Sequence, residues 1–440
     1  MINLFSKLSK FFLYLVPFTV LIVSRSTLFP FIVGKYVFFR VVVELALIFF
    51  LWAWVRGEFQ FSKLKLKILT PLVIAVSVFT LIFLLAGFLG YDPSASFWSN
   101  FERGEGGLQM LHLFIFFVLL GLLFRDEKAW RRMFIVSALV AVLVIAYGFA
   151  AALKISGFIG PGICERFAGS LGNSAYIGTF MIFALFYAGY LLINGLRQSA
   201  SGPHKFASLK KWLWGSLMVL FLIILIFSGT RGAFLGLAAG VLAGLSYLFF
   251  RLPSGRVRKI ILFVIIVLII FGWLGFKYRS SIDLMPFCKN EGQGGNRILD
   301  INLSTENLQT RFFLWKQSIK IFEERPILGW GPENFSPAIE KYHLPQFTVW
   351  FDRAHNIFFD YLTTTGILGL LSYLSIFIVF YWQFLKKMRK SALSPYQSAL
   401  IFALPIAYLV QGVVLFEVLP IYINLFLFLA FANYKFNNKF

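Results

Sequence analysis

The chain has 440 residues, is 59% hydrophobic, and sets 41 Lys and Arg against 19 Asp and Glu for a formal charge of +22. Its apolar residues gather in runs of roughly 17–25, the length at which a helix crosses ~30 Å of hydrocarbon. A soluble globular domain is thereby excluded.

Helical spans are predicted near 11–25, 37–55, 68–90, 108–124, 133–153, 175–196, 212–227, 233–250, 260–276, 356–384, 397–415 and 420–434. Backbone groups in lipid must pair within their own segment, and no ten-residue alternation suggests a barrel, so the spans read as helices. The expected fold is an all-α, polytopic membrane protein of about twelve transmembrane helices. It reads as one membrane domain over 1–440 with one large loop, 277–354, that contains short helices. Lys7 and Lys10 precede the first run and no small-residue cleavage site follows it, so it reads as a retained anchor.

The positive charge is unevenly placed. Both termini and the loops near 56–67, 125–132, 197–211, 251–259 and 385–396 hold roughly two dozen basic residues, opposed by Glu58, Asp126 and Glu127 alone. Cytoplasmic loops are rich in Lys and Arg, so these loops and both termini are assigned to the cytoplasm and 277–354 to the outside. The charge thus sets topology, and no nucleic-acid partner is implied.

Taken in chain order, Arg40 and Glu44 lie four residues apart in the second span, where ionisable groups are costly and mutual pairing is the simpler expectation. The outer loops 91–107 and 154–173 each present an arginine near glycines, Arg103 and Arg166. Cys164 and Cys288 both fall outside, where an oxidising exterior permits a bridge without specifying one. Ser228-Gly229-Thr230-Arg231-Gly232 breaks two apolar runs with a turn too short to leave the membrane surface. Arg231 there either snorkels to headgroups or binds an anion.

Within the large loop, Phe312, Trp315, Ile319 and Phe322 recur at helical spacing and predict a helix over about 305–324 with an apolar face. Glu324-Arg325-Pro326 ends it, because proline disfavours helix in the residue before it. Arg311 heads this stretch, and its planar fork matches phosphate oxygens as well as it matches a loop glutamate. His355-Asn356 then stands where the polar loop enters a long apolar run. A helix start disfavours imidazolium, so His355 is a candidate proton acceptor, with Asp352 and Asp360 near enough in sequence to orient its ring. The chain has no CxxC, no HExxH and no carboxylate cluster at metal spacing, so neither metal nor cofactor is expected.

Four marks, in order, resemble the O-antigen ligase and polymerase superfamily. They are Ser-Gly-Thr-Arg231-Gly; Arg311 four residues before the tryptophan at 315; Glu324-Arg325-Pro326-Ile327-Leu328-Gly329-Trp330-Gly331-Pro332-Glu333-Asn334-Phe335; and His355-Asn356 followed by Gly366 and Gly369. The ligase-like region spans about 228–370, and the 96–106 loop also looks like a recurring segment of ligase-like members. The resemblance implies a glycosyltransferase of the cytoplasmic (inner) membrane with its active site outside. It would move a glycan from an undecaprenyl-diphosphate carrier to an acceptor hydroxyl. The family's essential loop histidine falls on His355 and its two arginines on Arg231 and Arg311, with Arg103 and Arg166 as further diphosphate-binding candidates. Leu370 and Leu371 stand where some lipopolysaccharide ligases carry two threonines, which keeps a polysaccharide polymerase or a protein O-oligosaccharyltransferase open. A transporter of lipid-linked or small anions is the alternative from another class, although no internal repeat supports it.

Overall fold

The computed structural model describes residues 3–58, 69–100, 102–162, 165–200, 205–253, 255–278, 306–342, 351–388 and 393–437. These residues form helices and no strands. In chain order the helices are α1 (Leu4–Leu15), α2 (Val33–Val55), α3 (Pro71–Phe88), α4 (Pro93–Trp98), α5 (Gly107–Leu123), α6 (Glu127–Ala152) and α7 (Ser174–Ala200). Then come α8 (Lys205–Phe227), α9 (Arg231–Arg251), α10 (Arg256–Lys277), α11 (Glu306–Glu324), α12 (Phe335–Glu340), α13 (Ile357–Met388), α14 (Pro395–Gly412) and α15 (Leu419–Asn437). Ten helical segments among the described residues are long and apolar enough to cross a membrane, and α5 is a shorter apolar helix. The all-α polytopic expectation is met.

Several helix starts follow from local chemistry. Thr70 Oγ1 accepts the Val73 amide and Pro71 opens α3, while Asp92 Oδ1 accepts the Ala95 amide and Pro93 opens α4. A side-chain acceptor at the cap and proline in the first turn are the preferred pairing, because the first amides have no intrahelical partner. α1 differs from expectation, starting at Leu4 rather than near 11. Its first amides are met from far along the chain, where the Glu58 carboxylate accepts Phe5 N at 3.3 Å and Ser6 N at 2.9 Å.

The chain divides into two compact units. The first contains residues 1–130, 303–389 and 412–440, and α15 runs through its interior, apolar and buried on nearly every side. Phe117 and Phe426 pack edge to face, as do Trp130 and Phe431, and Phe380 meets Phe428. α11 occupies the predicted place, but its buried face is Leu314, Ser318 and Ile321, joined to Trp330, Phe335, Ala338 and Ala354. Phe312 and Ile319, from the stripe read off the sequence, are 52% and 46% exposed. The returning 326–340 segment buries the neighbouring stripe instead, and the Trp330 indole N–H donates to Ile321 O.

α13 is interrupted at Gly366, whose φ of 64° lies in the left-handed region. The break frees two carbonyls and two amides, and the preceding loop takes all four. Trp330 N and Gly331 N donate to Thr363 O and Thr364 O, while Ile367 N and Leu368 N donate to Pro326 O and Ile327 O. Backbone approaches backbone so closely that a Cβ on Gly366 would lie 2.3 Å from Ile327 O, and one on Gly329 2.6 Å from Thr363 O. Gly366→Ala is expected to lower the thermal unfolding midpoint in detergent, since the left-handed backbone costs about 1–3 kcal/mol before the clash is added. Gly215→Ala, where nothing lies within 4 Å, should leave or raise it. Equal midpoints for the two variants would show that the break tolerates a side chain.

The second unit contains residues 131–302 and 390–411. Here Gly236, Gly240 and Gly244 let α9 lie against Ala407 and Ala403 of α14, the small-residue packing that membrane helices use in place of a hydrophobic drive. Helices α7, α8, α9 and α14 also line an apolar cavity of about 460 Å³.

Candidate active site

In the first unit the loop entering α13 carries the predicted base. Asn356 caps the helix, its Oδ1 accepting Phe358 N at 2.9 Å and Phe359 N at 3.3 Å. His355, just before the cap, adopts φ 52°, an uncommon conformation for a residue with a side chain. Its ring meets Phe416 edge to face at 5.1 Å, and the Arg103 guanidinium lies 5.0 Å from the same phenyl ring. Phe416 therefore touches both the candidate base and a candidate cation.

Burial and charge both act on the imidazole. Desolvation, then the Arg311 charge, pull the His355 pKa down to about 4, with Arg103 adding in the same direction and Asp352 opposing. The ring is thus neutral at physiological pH and able to take a proton. Arg311 lies one turn before Trp315 on α11, and the Trp315 indole N–H donates to Ala354 O at 3.2 Å. The arginine-to-tryptophan spacing thereby places a cation near the imidazole and pins the peptide that leads into it.

A buried ionic cluster stands behind this loop. Arg353 bonds Glu333, and its second carboxylate, Glu105, is 3.4 Å away. Burial opposes its charge, but Glu333, Glu105, Asp360 and Asp352 outweigh that and hold the guanidinium well above its usual range. Glu105 also accepts Leu419 N at 2.8 Å, yet desolvation pushes its pKa up to about 7. Arg103 Nε donates to Asp352 Oδ2, and that pairing outweighs burial and lowers the Asp352 pKa. Glu105, Glu333, Arg353, Asp360 and Tyr422 are among the groups around a polar cavity of about 40 Å³, large enough for water.

The remaining predicted residues are placed as follows. In the second unit Arg231 is the first residue of α9, directly after the Ser228–Thr230 turn. Arg166 donates to Ser228 O and to Thr230 Oγ1, both at 3.1 Å, so it braces the turn that carries Arg231. In the first unit Arg40 donates to Gln109 Oε1 and Gly104 O, whereas Glu44 meets His112 at 2.9 Å. The expected Arg40–Glu44 pairing is thus replaced by separate partners on α5 and its preceding loop. Neither Asp352 nor Asp360 bonds the ring itself; Asp352 pairs with Arg103, and Asp360 accepts the Ala354 amide at 2.6 Å. Cys164 and Cys288 lie outside the described residues. Among the described residues no group of three or more His, Cys, Asp or Glu is arranged to hold a metal ion.

Sequence reading missed Arg353, Glu105 and Glu333. Their signal was present, since Asp352-Arg353 abuts His355 and Glu333 lies in the Gly-Trp-Gly-Pro-Glu-Asn turn. Which carboxylates meet Arg353 depends on chain segments far apart in sequence.

Residues 216–374 match the family model described as O-Antigen ligase. The match contains Arg231, Arg311 and His355, and it bears out the resemblance to the O-antigen ligase and polymerase superfamily. No curated protein matches the chain.

Proposed function

From the match of residues 216–374 to the O-Antigen ligase family model, we propose that the chain transfers a glycan from an undecaprenyl-diphosphate carrier to an acceptor hydroxyl at the outer face of the cytoplasmic membrane. The observation that carries this reading is the His355 imidazole at the entrance of α13, packed on Phe416 with the Arg103 guanidinium over the same ring and the Arg311 charge close by. His355 takes the acceptor's proton as the acceptor oxygen forms its bond to the anomeric carbon. The bond from that carbon to the diphosphate breaks, and undecaprenyl diphosphate departs with the electron pair.

The departing diphosphate gains charge, and guanidinium groups aimed at it stabilise that charge more in the transition state than in the ground state. Arg311 is the first candidate, and the family resemblance adds Arg231. Arg103 and Arg166 already serve Asp352 and the 228–230 turn, which supports giving them secondary parts.

The test uses purified protein in bilayer nanodiscs with an undecaprenyl-diphosphate-linked glycan. A core glycolipid, a glycan end and a serine-containing protein are offered separately as acceptors. Undecaprenyl diphosphate should appear in step with glycan on one acceptor class, and that class separates ligase, polymerase and protein-modifying activities. Movement of intact donor across liposomes without release of undecaprenyl diphosphate would mean transport.

A further inference from the structure

The left-handed backbone at His355 disfavours a side-chain-bearing residue, so it persists only where the surroundings impose it. The contacts around it show how. The Ala354–His355 peptide plane is fixed by the Trp315 indole N–H on Ala354 O, and Asn356 is fixed as the helix cap. The remaining constraint is on the other face of Ala354, whose amide donates to Asp360 Oδ1 at 2.6 Å. Asp360 sits in the first turn of α13, past the cap, and reaches back over it to close a loop around His355. Arg353, anchored by Glu333 and Glu105, holds the residue before Ala354. With the peptides on both sides of Ala354 held and Asn356 fixed as the cap, the chain has to turn at His355, which sets the direction of the imidazole.

We propose that Asp360 is a positioning residue for glycan transfer, which holds His355 in its left-handed conformation through the Ala354 amide and so aims the imidazole at the acceptor hydroxyl. The proposal rests on His355 acting as the base. A displacement of about 1 Å in a reacting group costs up to 10²-fold in rate, so the loss of this hydrogen bond should be felt in turnover. Donor binding, which depends on the guanidinium groups, should be spared.

Asp360→Ala, Asp360→Asn and His355→Ala are compared with wild type as monodisperse protein in nanodiscs, with kcat and donor KM measured across pH. Asp360→Ala should lower kcat about ten-fold or more while donor KM stays within about two-fold. Asp360→Asn retains a carbonyl oxygen to accept the Ala354 amide, so it should keep kcat within a few-fold of wild type and the same acid limb. Trp315→Phe keeps the ring against Phe359 and removes the indole N–H from Ala354 O, so it should lower kcat in the same sense. It also reads the same peptide by a second route should Asp360→Ala fail to accumulate. The proposal is overturned if Asp360→Ala turns over at the wild-type rate. It is equally overturned if Asp360→Asn is as damaging as Asp360→Ala, for then the charge beside Arg353 is what matters. Normal transfer by His355→Ala would sink the base assignment itself, whereas an inactive His355→Ala beside a normal Asp360→Ala sinks the positioning role alone.

Discussion

Replacing His355 with alanine is expected to lower glycan transfer by about 10²–10⁴-fold, the usual cost of removing a general base. The variant should still fold, because the surrounding loop is held through Asp352, Arg353, Ala354 and Asn356 and not through the imidazole. The pH profile gives the sharper test. Burial and the Arg311 charge depress the His355 pKa to about 4. The base is therefore in its active, neutral form above that value and is lost only as pH falls through it. The wild-type kcat/KM profile, which reports the free enzyme, should keep its acid limb well below the 6.5 of an ordinary histidine. The kcat profile reports the donor complex, where the diphosphate offsets the arginines, so its limb should sit higher. Residual activity of His355→Ala should lack both limbs. Near-normal transfer by the variant would place the base elsewhere.

Removing Arg311 should cost about 10²–10³-fold, the range found when one preorganised donor to a developing anion is deleted. Lysine keeps the charge but loses the planar fork, so Arg311→Lys should fall between wild type and Arg311→Ala. A second effect has a fixed sign. Arg311 lowers the His355 pKa, so in Arg311→Ala the acid limb of kcat/KM must move to higher pH. An Arg311→Ala variant with reduced transfer but an unmoved limb would separate the arginine from the imidazole and leave it to the diphosphate alone. Arg231→Ala tests that arginine's proposed part in the same assay, without the limb shift as a criterion.

The membrane character, the helical class and the candidate base were legible in the chain alone, because each depends on local pattern. Apolar runs long enough to cross a bilayer can satisfy their backbone only as helices. Thr70-Pro71 and Asp92-Pro93 announce their helix starts, and His355-Asn356 lies where polar chain gives way to apolar. Arg311, Arg231 and Gly366 were visible as residue types at telling positions. What they do with their neighbours was not. The first turn of α1 is completed by Glu58, and Arg353 is neutralised by Glu105 and Glu333 from separate loops. The face of α11 that becomes core is the one the 326–340 segment covers. The break at Gly366 persists because Pro326, Ile327, Trp330 and Gly331 take up the backbone groups it frees. Periodicity and capping are set by residues a few positions apart, whereas a buried charge or an opened helix must be satisfied by whatever the folded chain brings to it, and only the tertiary structure decides what that is.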